Sequence, residues 1–317
     1  MLYTDRLTVA GPGLASFSFP EDTALFVVGD AHGQNQALRD LLSGMGRITT
    51  PGLKRHLVFL GDLIDRGPDS LGCLKTTLLD GAALARADEV TFLPGNHELL
   101  LADTIEDAMT GGNAALGYRS AGECWAMNGG AMFLAEVFEH LGTKAPAGAA
   151  AQVMAFAEAL PHPGHESFLD MVRSWPSHVR VGDVLCVHAG ITPKKPHGYT
   201  LDLDQRSHFD TDHYRHWAWL RDAFLGWQGG WPTSGAKDDD HGCLVLHGHT
   251  VPAGARGSKL TDGDAVASVF NRMETNGRVC LDGGAAREVG CAGAVITSAG
   301  MRVLFQHCED LSLEDAA

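Results

Sequence analysis

The sequence predicts an α/β domain. Short β-rich apolar runs recur along it, and most end in glycine followed by a polar residue. Helical patterns lie between these runs, and strand–helix alternation of this kind builds an α/β sheet. The 317 residues suit one elaborated domain, or one domain plus a cap, since single α/β domains reach about 250 residues.

In chain order, Leu25–Val28 runs into Gly29 and Asp30. Leu38, Leu41, Leu42 and Met45 then share one helical face. Leu57–Leu60 runs into Gly61 and Asp62, and Leu71, Leu74 and Leu78 mark the next helical face. Val90–Leu93 passes through Pro94 into Gly95 and Asn96. From about Leu99 to Ser177 the chain turns Ala- and Met-rich, with helical spacings such as Val153, Phe156 and Leu160 and no convincing strand. That segment reads as a helical insertion, with Ala145–Ala151 as a flexible join. Val184–Val187 then runs into His188, and Leu244–Leu246 into His247-Gly248-His249. Runs of about four apolar residues bounded by turn residues suit buried strands. The stretch from His197 to Trp219 reads as a loop leading into a short helix, Asp238–Asp240 as a solvated acidic turn, and the end from Glu309 as frayed. No internal repeat is seen, so residues 1–317 are taken as one domain with the insertion at 99–177.

Composition narrows the function. Hydrophobic residues make up 44%, enough for a sizeable core, which excludes collagen-like and disordered classes. The 24 basic against 39 acidic residues leave a formal net charge of −15. Nucleic-acid binding rests on clustered Lys and Arg, so no nucleic-acid partner is expected. A small phosphorylated substrate stays open if positive charge is supplied locally. The seven cysteines form no C-x-x-C pair. Cys186, Cys243 and Cys280 lie in apolar runs and read as buried thiols of a reducing cytosol. Met1–Gly13 lacks the charged and apolar regions of a secretory signal. No apolar run approaches the roughly 20 residues of a membrane span. The expectation is a cytoplasmic protein with no membrane partner.

The polar residues cluster where strands end, which is where open α/β sheets bind ligands. Asp30, His32, Asp62, Asn96, His188 and His249 all fall there. Carboxylate, amide oxygen and imidazole together suit Mn²⁺, Fe²⁺ or Zn²⁺, whereas Ca²⁺ takes oxygen alone. Six candidate ligands exceed the needs of one catalytic ion with open positions. Two ions sharing a bridging carboxylate is the economical reading, and phosphoester hydrolysis is the usual chemistry of metal pairs about 3.5–4 Å apart.

Each residue taken alone has a plainer reading. A Gly-Asp after a strand is most often a turn, and Asn96 could cap the helix after it. Glu98 is expected to be structural, at a helix first turn whose dipole favours a carboxylate. His247, beside His249, is read as a histidine that backs a metal ligand or simply packs, and His162, His165, His178 and His241 as surface or loop residues. His197, His208, His213 and His216, with Asp202, Asp204, Asp210 and Asp212, read as a solvated rim rather than an adventitious metal site. Trp217, Trp219, Trp227 and Trp231 read as core rather than a substrate groove.

The joint pattern overturns the plainer reading for the strand-end set. Gly29-Asp30-Ala31-His32-Gly33, Gly61-Asp62-Leu63-Ile64-Asp65-Arg66-Gly67 and Gly95-Asn96-His97-Glu98 resemble the three signature motifs of the phosphoprotein phosphatase family within the calcineurin-like metallophosphoesterases. His188-Ala189-Gly190 and Gly248-His249-Thr250 resemble its two later metal-histidine motifs, in the right order. The resemblance runs from about Leu25 to Thr297, apart from the insertion. Asn128-Gly129-Gly130 and Leu281-Asp282-Gly283-Gly284 bring it nearest the compact bacterial and phage-type serine/threonine phosphatase branch. It implies a calcineurin-like fold, with a central β-sandwich flanked by helices.

The resemblance also implies roles. Asp30, His32 and Asp62 would hold one divalent ion. Asp62 would bridge to a second, completed by Asn96, His188 and His249. Mn²⁺ is the expected metal, with Fe or Zn as alternatives, and a metal-bridged hydroxide would attack phosphorus in line. His97 would protonate the leaving oxygen and Asp65 would orient His97. Arg66 would clamp phosphate oxygens, where a planar fork suits bidentate contacts. Arg221 resembles the second phosphate arginine, with Arg206, Arg215 and Arg119 as alternatives. The expected activity is hydrolysis of phosphate monoesters, foremost phosphoserine and phosphothreonine in proteins, or small phosphoesters. Symmetrical diadenosine tetraphosphate hydrolysis is the alternative, and a non-catalytic phosphopeptide-binding module is a third reading.

Overall fold

In the computed structural model, the described residues are 2–7, 18–111, 120–193, 199–200, 216–227, 231, 243–251 and 277–308. The strands are β1 (Leu2–Leu7), β2 (Thr23–Val28), β3 (Lys54–Phe59), β4 (Glu89–Phe92), β5 (His178–Val181), β6 (Val184–Val187), β7 (Thr192–Pro193), β8 (Tyr199–Thr200), β9 (Leu244–His247), β10 (Arg278–Cys280), β11 (Gly290–Thr297) and β12 (Gly300–His307). A six-stranded sheet runs β1-β12-β11-β2-β3-β4 and a four-stranded sheet runs β10-β9-β6-β5. β2, β3 and β4 are mutually parallel, as are β6, β9 and β10.

The two sheets pack face to face. Side chains alternate across a strand, so β2 sends Leu25 and Val27 to one face and Ala24, Phe26 and Val28 to the other. Leu25, Val27 and Val58 meet Val184, Cys186, Leu246 and Val279 between the sheets. Phe26, Val28, Leu57 and Phe59 meet Leu38, Leu41, Leu42 and Met45 of the helix Asn35–Arg47 on the outer face. Burial on both faces explains why these strands are apolar throughout. Trp217, Trp231, Leu220 and Phe224 cover the far face of the smaller sheet. The architecture is thus a mixed α/β sandwich with helices outside it.

Register brings the strand ends together. Val28 pairs with Phe59, and Phe59 with Phe92, so the turns after β2, β3 and β4 emerge side by side. Cys186 pairs with Leu246, which aligns His188 with the turn holding His249. The helix Ser70–Lys75, whose N-terminal turn is capped by Asp69, passes into a π-helical turn at Thr76–Asp80. The extra residue in that turn rotates the following chain. Leu71 and Leu74 are therefore fully buried while Leu78 is only half-buried.

Between β4 and β5 the described residues form helices only: Asn96–Thr110, Ala121–Trp125, Ala131–Leu141, Ala149–Ala159 and Phe168–Ser174. A π-helical turn, Ala126–Gly130, joins the second to the third. Trp125, Phe133, Phe156, Phe168 and Met171 form their shared core. Ala149–Ala151, expected to be part of a flexible join, instead start a helix, since alanine has the highest helix propensity. The join is the segment 143–148. No helix among the described residues is long and apolar enough to cross a membrane.

Candidate metal centre

The six strand-end residues converge on one buried spot. Asp30 and His32 follow β2, and Asp62 follows β3. Asn96 opens the helix after β4, His188 follows β6 and His249 follows β9. His32 Nε2 lies 3.5 Å from Asp62 Oδ2 and 3.8 Å from Asp30 Oδ2. On the other side, His188 Nε2 lies 3.4 Å from the same Asp62 oxygen. The His188 and His249 rings approach Asn96 Oδ1 at 3.1 and 2.8 Å. Asp62 sits at the centre of both groups.

Donor chemistry shows what this arrangement fits. His32 Nδ1 donates to Ile64 O at 3.0 Å, and His188 Nδ1 donates to Leu60 O at 2.9 Å. A neutral imidazole with its proton on Nδ1 offers a lone pair at Nε2. The His32 lone pair points at carboxylate oxygens, which are acceptors too, whereas Asp62 raises the pKa of His188 against the effect of burial. His249 Nε2 is buried with no hydrogen-bond partner. Lone pairs facing one another repel unless a cation lies among them. His32, Asp62 and His97 offer ligand atoms within 4.8 Å of one another, and so do Asp62, His188 and His249. Carboxylate and imidazole donors in this pattern fit divalent Mn, Fe or Zn.

Charge is sorted within the cluster. Burial pushes the Asp30 carboxyl well above its ordinary range, helped by Asp282 and Asp62. Burial opposes the charge on Asp62 as well, but His188, His97 and His32 outweigh it and hold Asp62 well below the carboxylate range. Burial lowers His32 to about 3, so its ring is neutral at pH 7. His249 is lowered likewise, with His188 and Arg221 adding to the effect.

The backbone is bent to hold these groups. His32, Asp62, Asp65, Arg66 and His249 all have positive φ, between 42° and 72°. Such conformations cost about 1–3 kcal/mol each away from glycine and concentrate at functional sites. Two glycines clear the space: a Cβ on Gly95 would strike the Asp62 carboxylate, and one on Gly248 the Asp30 carboxylate. Glu98 ties the turns down. Its carboxylate accepts the backbone N–H groups of Asp62, Leu63 and Gly95, each at 2.8 Å. It caps its own helix and anchors the loop before it. Glu98→Ala should leave three buried donors without acceptors. Each costs about 1–3 kcal/mol, so urea unfolding should show at least about 3 kcal/mol of lost stability. An unchanged midpoint would mean that other acceptors replace it.

Beside the cluster stand the residues expected to act on phosphate. His97 Nδ1 donates to Asp65 Oδ2 at 2.7 Å, both side chains fully buried. His97 Nε2 has no partner. Burial raises the Asp65 carboxyl, against the pull of His97. Arg66 is exposed and donates to Asn128 Oδ1 at 3.4 Å. Arg221 donates to Thr250 Oγ1 at 3.1 Å. Desolvation lowers its pKa, against Asp282, Asp62 and Asp30, which pull the other way.

Several residues lay beyond the motif reading. Trp125 donates its indole N–H to Asp65 at 3.0 and 3.2 Å from sixty positions away. Asp282 is buried near Asp30, its carboxyl pushed up to about 6 by burial. Its place in a quoted turn motif was the only sign. Asn96 does not cap its helix, because its amide oxygen faces His188 and His249 instead. His247 is packed and neutral, lowered by burial to about 3, with Phe224 against its ring. His216 departs from the rim reading: it is buried, stacks on Trp217 and accepts the Ala218 N–H at 3.1 Å. His197, His208, His213, His241, the four rim aspartates, Arg119, Arg206 and Arg215 lie outside the described residues.

Comparison with known proteins fits this geometry. A family model described as calcineurin-like phosphoesterase matches residues 24–281. Serine/threonine-protein phosphatase 1 of Salmonella typhimurium is 36% identical over 116 residues, 37% of this chain and 43% of that protein. An asymmetrical bis(5'-nucleosyl)-tetraphosphatase of Oceanobacillus iheyensis is 34% identical over 76 residues, 22% of this chain and 29% of that protein. The chain thus spans less than half the length of these curated relatives. A solved cold-active protein-tyrosine phosphatase from a psychrophilic Shewanella is 16% identical, with a TM-score of 0.45, over 90% of this chain and 80% of that one.

Proposed function

The chain belongs to the calcineurin-like phosphoesterase family of hydrolases, and from that premise we propose that it hydrolyses phosphate monoesters with two divalent metal ions, acting foremost on phosphoserine and phosphothreonine in proteins. The observation that carries this reading is the pair of buried His/Asp groups that share Asp62, with the His97–Asp65 pair and two arginines beside them. We assign Asp30, His32 and Asp62 to one ion and Asp62, Asn96, His188 and His249 to the other. Mn²⁺ is the first candidate, with iron or zinc as alternatives. Bound there, the ions supply an acidified water and neutralise phosphate charge.

The chain's own residues do the rest. Arg66 and Arg221 grip phosphate oxygens and supply local positive charge in a chain whose formal net charge is −15. Asp65 accepts a hydrogen bond from His97 Nδ1 and orients a ring that carries protons on both nitrogens, from which the Nε2 proton goes to the leaving oxygen. His97 also lies within ligand distance of His32 and Asp62. Its bond to Asp65 favours the acid role. Arg66→Ala should raise KM for substrate and weaken inhibition by inorganic phosphate, each by about tenfold, the usual scale of one charge-assisted contact. Unchanged values for both would remove Arg66 from phosphate binding.

The distribution of positive charge supports this substrate class. A dinucleoside polyphosphate extends further phosphates away from the metals and needs cations there. Between Leu99 and Ser177 the basic residues are Arg119, Lys144 and Arg173. Arg173 is already bound to Asp103 at 2.6 Å and Glu106 at 2.7 Å. A phosphopeptide carries a single dianion, and an acidic surface attracts basic residues flanking it. With Mn²⁺ present, kcat/KM should be higher for phosphopeptides, above all those with basic flanks, than for diadenosine tetraphosphate. Salt should erode the preference for basic flanks, because exposed charges are screened over about 8–10 Å. A clear preference for the dinucleotide would make the protein a tetraphosphatase. Absence of any turnover would leave a phosphopeptide-binding module. All seven cysteines are free thiols, which fits the reducing cytosol we propose for it.

A further inference from the structure

We propose that Trp125, carried by the helical insertion, is a positioning residue for the acid step: its indole N–H holds the Asp65 carboxylate in the orientation that presents Oδ2 to His97. Asp65 Oδ2 lies 2.7 Å from His97 Nδ1 and 3.0 Å from Trp125 Nε1, and Asp65 Oδ1 is 3.2 Å from the same indole nitrogen. The indole therefore straddles both carboxylate oxygens and fixes the plane of the group. A buried indole N–H needs an acceptor, and this one takes an acceptor that already serves His97.

The indole is itself held firmly. It is 2% exposed. Phe156 packs on it at 5.5 Å between ring centres, and Phe133 packs edge-on against Phe156 at 5.0 Å. Gly130 lies flat against the ring, where any Cβ would overlap it. Three turns later the same insertion reaches the loop again: Glu136 accepts the backbone N–H groups of Ser70 and Leu71 at 3.0 and 2.7 Å, and Ser70 Oγ accepts the Asp65 N–H at 3.0 Å. The insertion thus grips Asp65 through its side chain and, by way of Ser70, through its backbone.

This assignment rests on His97 as the proton donor, and the test separates the two. Steady-state rates with Mn²⁺ are compared on p-nitrophenyl phosphate, whose leaving group needs little protonation, and phenyl phosphate, whose leaving group needs more. His97→Asn, Trp125→Phe, Asp65→Asn and the Trp125→Phe/Asp65→Asn double variant are measured together. Trp125→Phe keeps the aromatic packing and removes only the N–H. Its kcat should fall about tenfold on phenyl phosphate and less than about twofold on p-nitrophenyl phosphate, the rate equivalent of one charge-assisted hydrogen bond, with KM and metal content unchanged. In the Asp65→Asn background the same substitution should cost nothing further, as expected when one residue acts through the other. Equal losses on both esters, or full additivity with Asp65→Asn, would overturn the assignment while leaving His97 as the acid. A His97→Asn variant without the leaving-group signature would overturn both. If Trp125→Phe fails to fold by near-ultraviolet circular dichroism, Phe156→Leu takes its place. That change loosens the seat of the indole, so a smaller loss with the same leaving-group signature supports the assignment and a uniform loss overturns it.

Discussion

Asp62→Asn should reduce turnover to the background rate and remove the metal-dependent rise in Tm. One Asp62 oxygen lies 3.5 Å from His32 Nε2 and 3.4 Å from His188 Nε2, and the other accepts the His97 N–H at 3.0 Å. A single neutralisation therefore weakens both proposed metal positions, which no other residue in the set can do. A ligand held at 100 times its Kd stabilises a fold by about 2.7 kcal/mol, and this increment should disappear from the variant. The metal-free variant should also be less stable than the metal-free parent. The neighbouring histidines favour the Asp62 carboxylate despite its burial, and a neutral Asn forfeits that interaction. Scanning calorimetry with and without Mn²⁺, together with metal analysis after desalting, checks both halves. An active Asp62→Asn enzyme with full metal content would sink the metal-pair reading.

His97→Asn should keep its metals and lose kcat. General acid–base groups typically contribute about 10²–10⁴-fold, and the loss should fall at the upper end for alkyl phosphates and the lower end for p-nitrophenyl phosphate. KM should change little, because Arg66 and Arg221 remain to hold the phosphate. The fold should also persist, since the Asn side chain can still donate toward Asp65. Loss of metal from this variant would make His97 a ligand, in line with its place among the ligand atoms around His32 and Asp62.

The strand-end set was legible because it is local. Each candidate ligand sits within a few residues of an apolar run, and parallel register carries those ends to one place without any knowledge of long-range contacts. The sandwich was less legible. β1, β5 and β12 join the sheets only through antiparallel pairing with partners near or far in the chain, and pairing leaves little trace in hydrophobic pattern. Leu78 followed helical spacing but lies within a π-helical turn, Thr76–Asp80, that no residue in that segment announces. No motif in the sequence marks Trp125. Its partner Asp65 is set by how the helix carrying Trp125 docks, and docking is written in the packing of Phe133 and Phe156 rather than in any motif. His216 has charged neighbours in sequence but is buried, with its ring stacked on Trp217.

The spread of the site along the chain has a kinetic consequence. Asp30 and His249 are 219 positions apart, yet the His249 N–H donates to the Asp30 carboxylate at 3.0 and 3.1 Å. Neither sheet can complete the centre alone, because β2 and β3 contribute Asp30, His32 and Asp62 while β6 and β9 contribute His188 and His249. Closing chain segments of that length is slow relative to forming local helices. The carboxylates of the larger sheet therefore meet His188 and His249 only as the two sheets dock, so recovery of metal affinity during refolding is a clock for the last large-scale step and trails the recovery of helical signal.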